Sequence, residues 1–466
     1  MTRRLSLIIA VMFSMMVATT ACHQKDIDGN EDEHAEEQEL SPVTLTVQVG
    51  SVNNIFEKKP SITLHVENPN NVEVTAEALF VFTKDTMESY LEWSTSEQVP
   101  ANGSKDIPYD NDKVFDPGFY QVRCQIKNNR NAAANISIGV DPFEIVSAPD
   151  KQVDYDEFWA KAKAQLPQVN DDNVKFIELT KRSSATRKVY LVEYKSVPNE
   201  EGGTPETVRG YYCEPTDGKK HPVFFHFYGY DDQKPTNKAY CPTGGSTPYA
   251  DFYVSTRGQM VNNRTANLRS DGIEEDFVNT YGDWFAYNFG KYDGYYYRGA
   301  FMDCVQAVRI AASRPTTDTG KLFAEGSSQG GALSYATASL SDWPFVAIAP
   351  NVAFLGDFPD YFKIVSWPAG TAKAEQKKMG MTDEQMYAFL SYYDTKNLAS
   401  TLTCAVIAHI GLIDGTCPPH TNIAPYNNLL TPEADKVMYF SPKVGHGYHP
   451  NWENLYMDFF KKRGLE

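Results

Sequence analysis

Positive charge is scarce in this 466-residue chain: 43 Lys and Arg stand against 60 Asp and Glu, a formal charge of −17. Nucleic-acid binding needs a basic face to neutralise phosphates, so nucleic acid is excluded as a partner. Cysteine is sparse too, with seven in the chain. None sits in a CxxC pair or a Cys/His spacing that would hold a metal, and neither a metal nor an organic cofactor is expected. There is no internal repeat, and no low-complexity tract beyond one acidic stretch near the start. The N-terminal apolar run, Leu5 to about Ala18, is too short for a comfortable membrane span.

What is present is globular, with 42% apolar and 22% charged residues. The length asks for two or three domains. Aromatics reach 13%, with 28 Tyr. That content suits an extracellular or carbohydrate-facing protein, but Tyr more often simply fills ordinary cores.

The N-terminus carries Arg3 and Arg4, then the apolar run, then small residues, which is the layout of a secretory signal over 1–22. Thr20-Ala21-Cys22 resembles a bacterial lipoprotein box, although Thr19 stands where Leu is usual. Cys22 is then the lipidated first residue, the membrane is a partner through that anchor, and the expected location is the cell envelope at the outer membrane. A plain secreted protein with an incidental cysteine is the alternative. Residues 23–41 form an acidic disordered tether, with eight acids and one lysine over 23–40 and little to bury. The tether reads as a surface-export signal or as a spacer. Of the six later cysteines (124, 213, 241, 304, 404 and 417), Cys304 and Cys404 lie in apolar runs and are expected as free buried thiols.

Two folded parts follow. Residues 42–147 alternate apolar and polar in short runs, such as Val43–Val49 and Ser61–Val66, with turn-rich pieces such as PANGSKD (100–106) between them. That pattern predicts an all-β, immunoglobulin-like sandwich. DNDK (110–113) lacks the spacing of a calcium loop and reads as a turn. From 148 to 466 near-continuous apolar strands alternate with helical runs, for example HPVFFHFYG (221–229), KLFAEG (321–326) and CAVIAHIG (404–411). Such strands predict an α/β fold with a doubly wound, mostly parallel sheet covered on both faces.

The chemistry centres on KLFAEGSSQGGALSY, residues 321–335. It reads strand, tight turn, helix, and Gly326-Ser327-Ser328-Gln329-Gly330 fits G-x-S-x-G with Ser328 at its centre. In such an elbow a serine is exposed above the sheet as a nucleophile. Framing by Ser327 would need glycines at 325 and 329, which are Glu325 and Gln329. A serine nucleophile needs a base, and the base needs an orienting acid. Asp414 follows one apolar strand and His446 sits in a glycine-flanked loop after the next, in the order Ser, Asp, His of α/β-hydrolases. His449 is a rival base, and Asp357 and Asp360 are rival acids less well placed in that order. His409 reads as a core histidine, His226 as an organiser of the loop after its strand, and His420, after two prolines, as a surface residue. Backbone N–H groups of Gln329 and Tyr230 are the candidate oxyanion donors.

Taken together, GSSQGG (326–331), Arg257-Gly258-Gln259, HFYGY (226–230), YYYRGAFMDCVQAV (295–308), LIDGTCPP (412–419) and Gly445-His446 resemble the acetyl xylan esterase and cephalosporin C deacetylase family, carbohydrate esterase family seven. The resemblance covers about 150–466. It implies deacetylation of acetylated xylo-oligosaccharides or related sugars by Ser328, His446 and Asp414, with Tyr230 and Gln329 as oxyanion donors and Arg257 bracing the site from behind. It also implies ring-shaped hexamers, which an added sandwich and a membrane tether would obstruct. Gly447 stands where the family usually has Glu. Another α/β-hydrolase chemistry (a peptidase or a broader carboxylesterase) and a non-catalytic, glycan-binding surface lipoprotein are the other readings.

Overall fold

The computed structural model describes residues 40–127, 129–231, 237–239, 242, 244–261 and 281–466. Cys22, the signal segment, nearly all of the tether and Cys241 lie outside them. Residues 42–466 form one compact unit. Among the described residues no helix is long and apolar enough to cross a membrane.

Eight strands come first: β1 (Thr44–Val49), β2 (Ile55–Phe56), β3 (Ile62–Asn68), β4 (Val74–Lys84), β5 (Ser89–Val99), β6 (Gly103–Pro108), β7 (Gly118–Ile126) and β8 (Asn129–Val140). They make a three-stranded sheet, β1-β3-β6, and a five-stranded sheet, β2-β8-β7-β4-β5. Strand side chains alternate between faces. The inner rows, Leu64 and Val66 from one sheet and Phe80, Phe82 and Val122 from the other, fill a shared core. The segment expected as a turn at 100–106 already enters β6. Only Ile107 of that edge strand is buried, so Ser104, Lys105 and Asp106 leave little apolar signal.

The second part is a nine-stranded sheet. Its strands are β9 (Val174–Glu178), β10 (Arg187–Lys195), β11 (Thr207–Pro215), β12 (His221–Phe227), β14 (Ala250–Ser255), β16 (Thr317–Ser327), β17 (Phe345–Asn351), β18 (Ala405–Gly411) and β19 (Lys436–Ser441). β13 (Asn237–Ala239) and β15 (Met260–Val261) pair separately. The order β19-β18-β17-β16-β12-β14-β11-β10-β9 is parallel from β19 to β14 and antiparallel beyond. This is an α/β-hydrolase core. Alternation shows on β16: Leu322 and Ala324 join the core packed under helices Tyr296–Ser313 and Gln329–Leu340. Phe323 points the other way, onto Trp452 and Phe460.

The β-sheets and the α/β core are fastened together. Phe119 of β7 and Ile145 of the connecting segment belong to the large α/β core. Asn427 donates its amide to the carbonyls of Pro142 and Ile145, and Asn428 donates to that of Ser147. Beside them His420 is buried, not at the surface as its sequence context implied. Its Nε2 lies 3.1 Å from Asp357 and 3.2 Å from Asp360, and its Nδ1 lies 3.8 Å from Asp85 of the β-sheet part. Lys396 completes the cluster, 2.9 Å from Asp357. The two rival acids therefore serve this charge cluster. Burial opposes charge on His420, but hydrogen bonds to Asp357 and Asp360 outweigh it and raise its pKa to about 10. With the Lys396 ammonium already seated on Asp357, these groups read as an ion cluster. The described cysteines 124, 213, 304, 404 and 417 are all free thiols.

Because the folded pKa of His420 is raised, its contribution to stability is complete below the ordinary histidine pKa and is lost as pH rises toward about 10. His420→Ala removes the cation shared by Asp357, Asp360 and Asp85, leaving Lys396 and Lys363 to offset them, and costs about 3 kcal/mol. Urea unfolding of the full chain should show that gap near pH 6 and a smaller gap near pH 9.5; a gap independent of pH would contradict the charged state assigned to His420.

Candidate active site

β16 ends at Ser327 and the next helix begins at Gln329, so Ser328 is the turn between them. Its φ of 59° and ψ of −120° put a non-glycine residue in strained backbone. Neighbouring positions explain how the turn closes. A Cβ on Gly326 would meet the Gly330 backbone at 2.3 Å, and one on Gly330 would meet the Phe227 carbonyl at 2.3 Å. Only glycine allows strand and helix to pack this closely. The turn is pinned by Ser328 N–H donating to the Asn351 carbonyl (2.9 Å) and Phe354 N–H donating to the Ser328 carbonyl (3.0 Å).

Asp414 and His446 meet across two loops that follow adjacent strands. Asp414 Oδ1 accepts the N–H groups of Thr416 (2.8 Å) and Cys417 (2.9 Å), and its Oδ2 lies 2.9 Å from His446 Nδ1. The carboxylate is inaccessible to water, whereas the imidazole is 32% exposed. An ionised carboxylate only accepts, so Nδ1 carries the hydrogen and Nε2 is left with a lone pair. The loops are laced by Ile413 N–H to the Val444 carbonyl (3.3 Å) and Leu412 N–H to the Ser441 carbonyl (3.0 Å). Cys417 links this pair to the elbow: its thiol lies beside Ser328, while its N–H holds Asp414. Burial above all, then the Asp414 charge, keeps that thiol protonated.

A second link escaped the sequence reading. Asn351, the last residue of β17, donates Nδ2 to Ser327 Oγ (2.8 Å) and to the Gly447 carbonyl (3.1 Å). One amide thus ties the residue before Ser328 to the residue after His446. Its Oδ1 accepts from His409 Nδ1 (2.7 Å), whose Nε2 accepts from Ser441 Oγ (2.9 Å). Burial first, and nearby His449 second, lower the His409 pKa to about 4, so the ring is neutral and its single hydrogen points at Asn351. The signal was available: a polar residue closing a buried strand, the same placement that singled out Asp414.

The loop after β12 lies against the elbow, with the Gly229 position within contact distance of Ser328 Cβ and the Ser327 carbonyl. Gln259 Nε2 donates to the Gly229 carbonyl (3.0 Å) and its Oε1 accepts from Thr256. Tyr230 follows. Its hydroxyl donates to Asp283 (3.0 Å), and its ring packs on Trp284, Phe354 and Trp367. Gln329 heads its helix, where N–H groups of the first turn have no intrahelical acceptor. Its buried side chain accepts from Tyr297 Oη (3.1 Å). Arg257 is buried and forked onto Asp303, with Nη1 donating to Asn199 and Nη2 to the Val197 carbonyl. It reaches no reacting atom and fixes the turn that carries Gln259.

The rival histidines have other partners. His449 Nδ1 accepts the Asn451 N–H (3.1 Å) at the start of the last helix. His226 lies between Asp251 and Glu325, 3.0 Å from each, and stacks on Tyr253. Burial opposes its charge, but these two carboxylates raise its pKa to about 9.

Comparison with known proteins follows the same lines. The family model for acetyl xylan esterase matches residues 144–463. A similar protein, the acetyl esterase Axe7A of Xylanibacter ruminicola, is 24% identical over 333 residues, covering 69% of this chain and 70% of its own length. Among solved structures, the acetyl xylan esterase of Paenibacillus sp. R4 is 26% identical with a TM-score of 0.55, over 69% of this chain and 98% of its own. Acetyl xylan esterase 1 of a Thermoanaerobacterium species shares the fold at 22% identity, with a TM-score of 0.55, over 69% of this chain and 97% of its own. The α/β part, from the connecting segment to the last helix, is what these proteins share, and the chain belongs to the acetyl xylan esterase family, carbohydrate esterase family seven, as a carboxylic ester hydrolase.

Proposed function

We propose that this protein removes acetyl groups from acetylated xylo-oligosaccharides or related sugars through Ser328, His446 and Asp414. The observation that carries the reading is the buried Asp414 bonded to His446 Nδ1, which leaves Nε2 with a lone pair to act as base, in a loop that Asn351 ties to the strained serine elbow. Ser328 Oγ attacks the acetyl carbonyl carbon as His446 Nε2 takes its proton, and the carbonyl π pair moves to oxygen. Backbone N–H groups of Tyr230 and Gln329 receive that oxyanion. The C–O bond to the sugar then breaks and His446 returns the proton to the departing hydroxyl. Water, deprotonated by the same Nε2, attacks the acetyl-serine and releases acetate. Asp414 stays ionised and stabilises the imidazolium. Tyr230, which follows the loop position against the elbow, packs in one cluster with Phe354 and Trp367, and bulky rings of this kind favour a two-carbon acyl group.

Ser328→Ala should lower kcat on p-nitrophenyl acetate by roughly 10⁴-fold or more. Ser327→Ala, which removes only the acceptor for Asn351, should leave most of the activity; equal losses would sink the assignment. Acetate esters should be preferred over butyrates, and a clear preference for butyrates or peptides would point to another α/β-hydrolase chemistry. Asn351→Asp keeps the shape but removes both donated hydrogen bonds. It should lower kcat by about 10²-fold through misalignment of nucleophile and base, with KM little changed; a loss confined to KM would contradict a positioning role.

The sequence of the first 22 residues supports a lipid anchor at Cys22 and a place in the cell envelope. Cys22→Ala should move the expressed protein from the membrane fraction to the soluble fraction, and an unchanged distribution would remove the anchor.

A further inference from the structure

We propose that the outer face of the five-stranded β-sheet is a sugar-binding platform that takes the xylan-type chain on either side of the acetylated residue, an inference that rests on the deacetylase reading above. The register of three strands aligns its side chains in rows. Val81 of β4, Arg123 of β7 and Asn135 of β8 are direct cross-strand neighbours. Thr83, Gln121 and Ser137 make the adjacent row. These residues alternate with Phe82 and Val122, which are buried in the sheet's own core, so all of them share the outer face.

Outer faces of antiparallel sheets are often polar simply because they meet water. Gln121, Arg123 and Asn135 are exposed here too, but this face also looks onto a second wall of protein. It forms one wall of a cavity of about 600 Å³ whose other wall is built by Val365, Ile413, Gly415 and Pro418 of the α/β core. That volume is in the range of small-molecule sites. The loop that carries Asp414 lines the same cavity, with the Asp414 carboxylate itself turned away from water, whereas Ser328 and His446 do not. The cavity abuts the loop that carries Asp414, and in this reading the rest of the polymer runs there while its acetyl group sits at Ser328.

The lining chemistry matches a neutral polyol. Amide, hydroxyl and guanidinium groups at Gln121, Asn135, Thr83, Ser137 and Arg123 offer paired donors and acceptors for sugar hydroxyls. Met87 and Ile413 are 64% and 54% exposed at its edges, apolar surface of the kind that covers the C–H faces of sugar rings. A net charge of −17 disfavours a strongly acidic polymer. The N-terminal β-sheets are then part of the substrate site, in a region outside the matched family segment at 144–463.

The test uses the full chain and the double variant Arg123→Ala/Asn135→Ala. In the wild type, kcat/KM on acetylated xylo-oligosaccharides should rise with chain length from dimer to hexamer. In the variant, kcat/KM on the hexamer should fall about tenfold relative to kcat/KM on p-nitrophenyl acetate, the loss of exposed hydrogen bonds from one guanidinium and one amide, and mainly through KM. No length dependence in the wild type, or an unchanged ratio between the two substrates, overturns the platform. Failure of the deacetylase reading is separable. It would appear as wild-type hydrolysis of p-nitrophenyl acetate with none of acetylated xylo-oligosaccharides. The platform is then judged by calorimetric binding of xylohexaose to Ser328→Ala protein: weaker binding on adding the two substitutions supports it, and equal or absent binding overturns it.

Discussion

A carboxylate shut away from water must find every donor inside the protein, and Asp414 imposes that condition on the whole site. Two of its donors are backbone N–H groups of its own loop, and the third is His446. Because the acid can only accept, the imidazole has one tautomer and one orientation. The loops that carry the pair cannot drift apart, since Gly411 packs against the backbone of Val444 and Gly445 at a distance that excludes any side chain. The base is thus positioned by its surroundings before substrate arrives, which is where most of the benefit of a triad lies.

The nucleophile is held by a different device. Ser328 sits in backbone that costs on the order of 1–3 kcal/mol, and such strain persists only when its surroundings over-determine it. Gly326 and Gly330 let strand, helix and the β12 end come within contact, and hydrogen bonds to Asn351 and Phe354 fix the turn. Asn351 serves both halves of the site, because its carbonyl holds Ser328 while its side chain reaches Ser327 and Gly447. Neutral His409 then orients that amide. A buried polar chain of this kind is stable only when each member is satisfied, and each hydrogen in it has one available acceptor.

Much of this was legible because chemistry in an α/β fold gathers where strands end. Ser328, Asp414 and His446 each follow an apolar run that became β16, β18 and β19, and the glycines around Ser328 announce a close approach that side chains would prevent. What escaped was long-range. β9 to β11 have no helices between them and a mixed alternation, so nothing in a local window separates them from loops. Asn351 shows no role in its local sequence, since its partners lie 24, 58 and 96 positions away. His420 was misjudged for the same reason: Pro418 and Pro419 suggest a surface turn, whereas three carboxylates from two parts of the chain converge on it.

Strand β7 shows how tightly the β-sheets and the α/β core depend on one another. Its inward residues Tyr120, Val122 and Cys124 fill the core between the two sheets. Of its outward residues, Phe119 enters the α/β core, while Gln121 and Arg123 face the cavity beside Asp414. A register shift of one residue would exchange these faces, exposing the core set and burying Arg123. The pairing Phe82↔Val122 and Thr83↔Gln121 is therefore constrained from both sides at once. A spacer domain needs only its own core to fold. Here the same alternation that builds the sheet also sets where the α/β part docks and what lines the cleft between them, so fold and substrate surface are specified by one register.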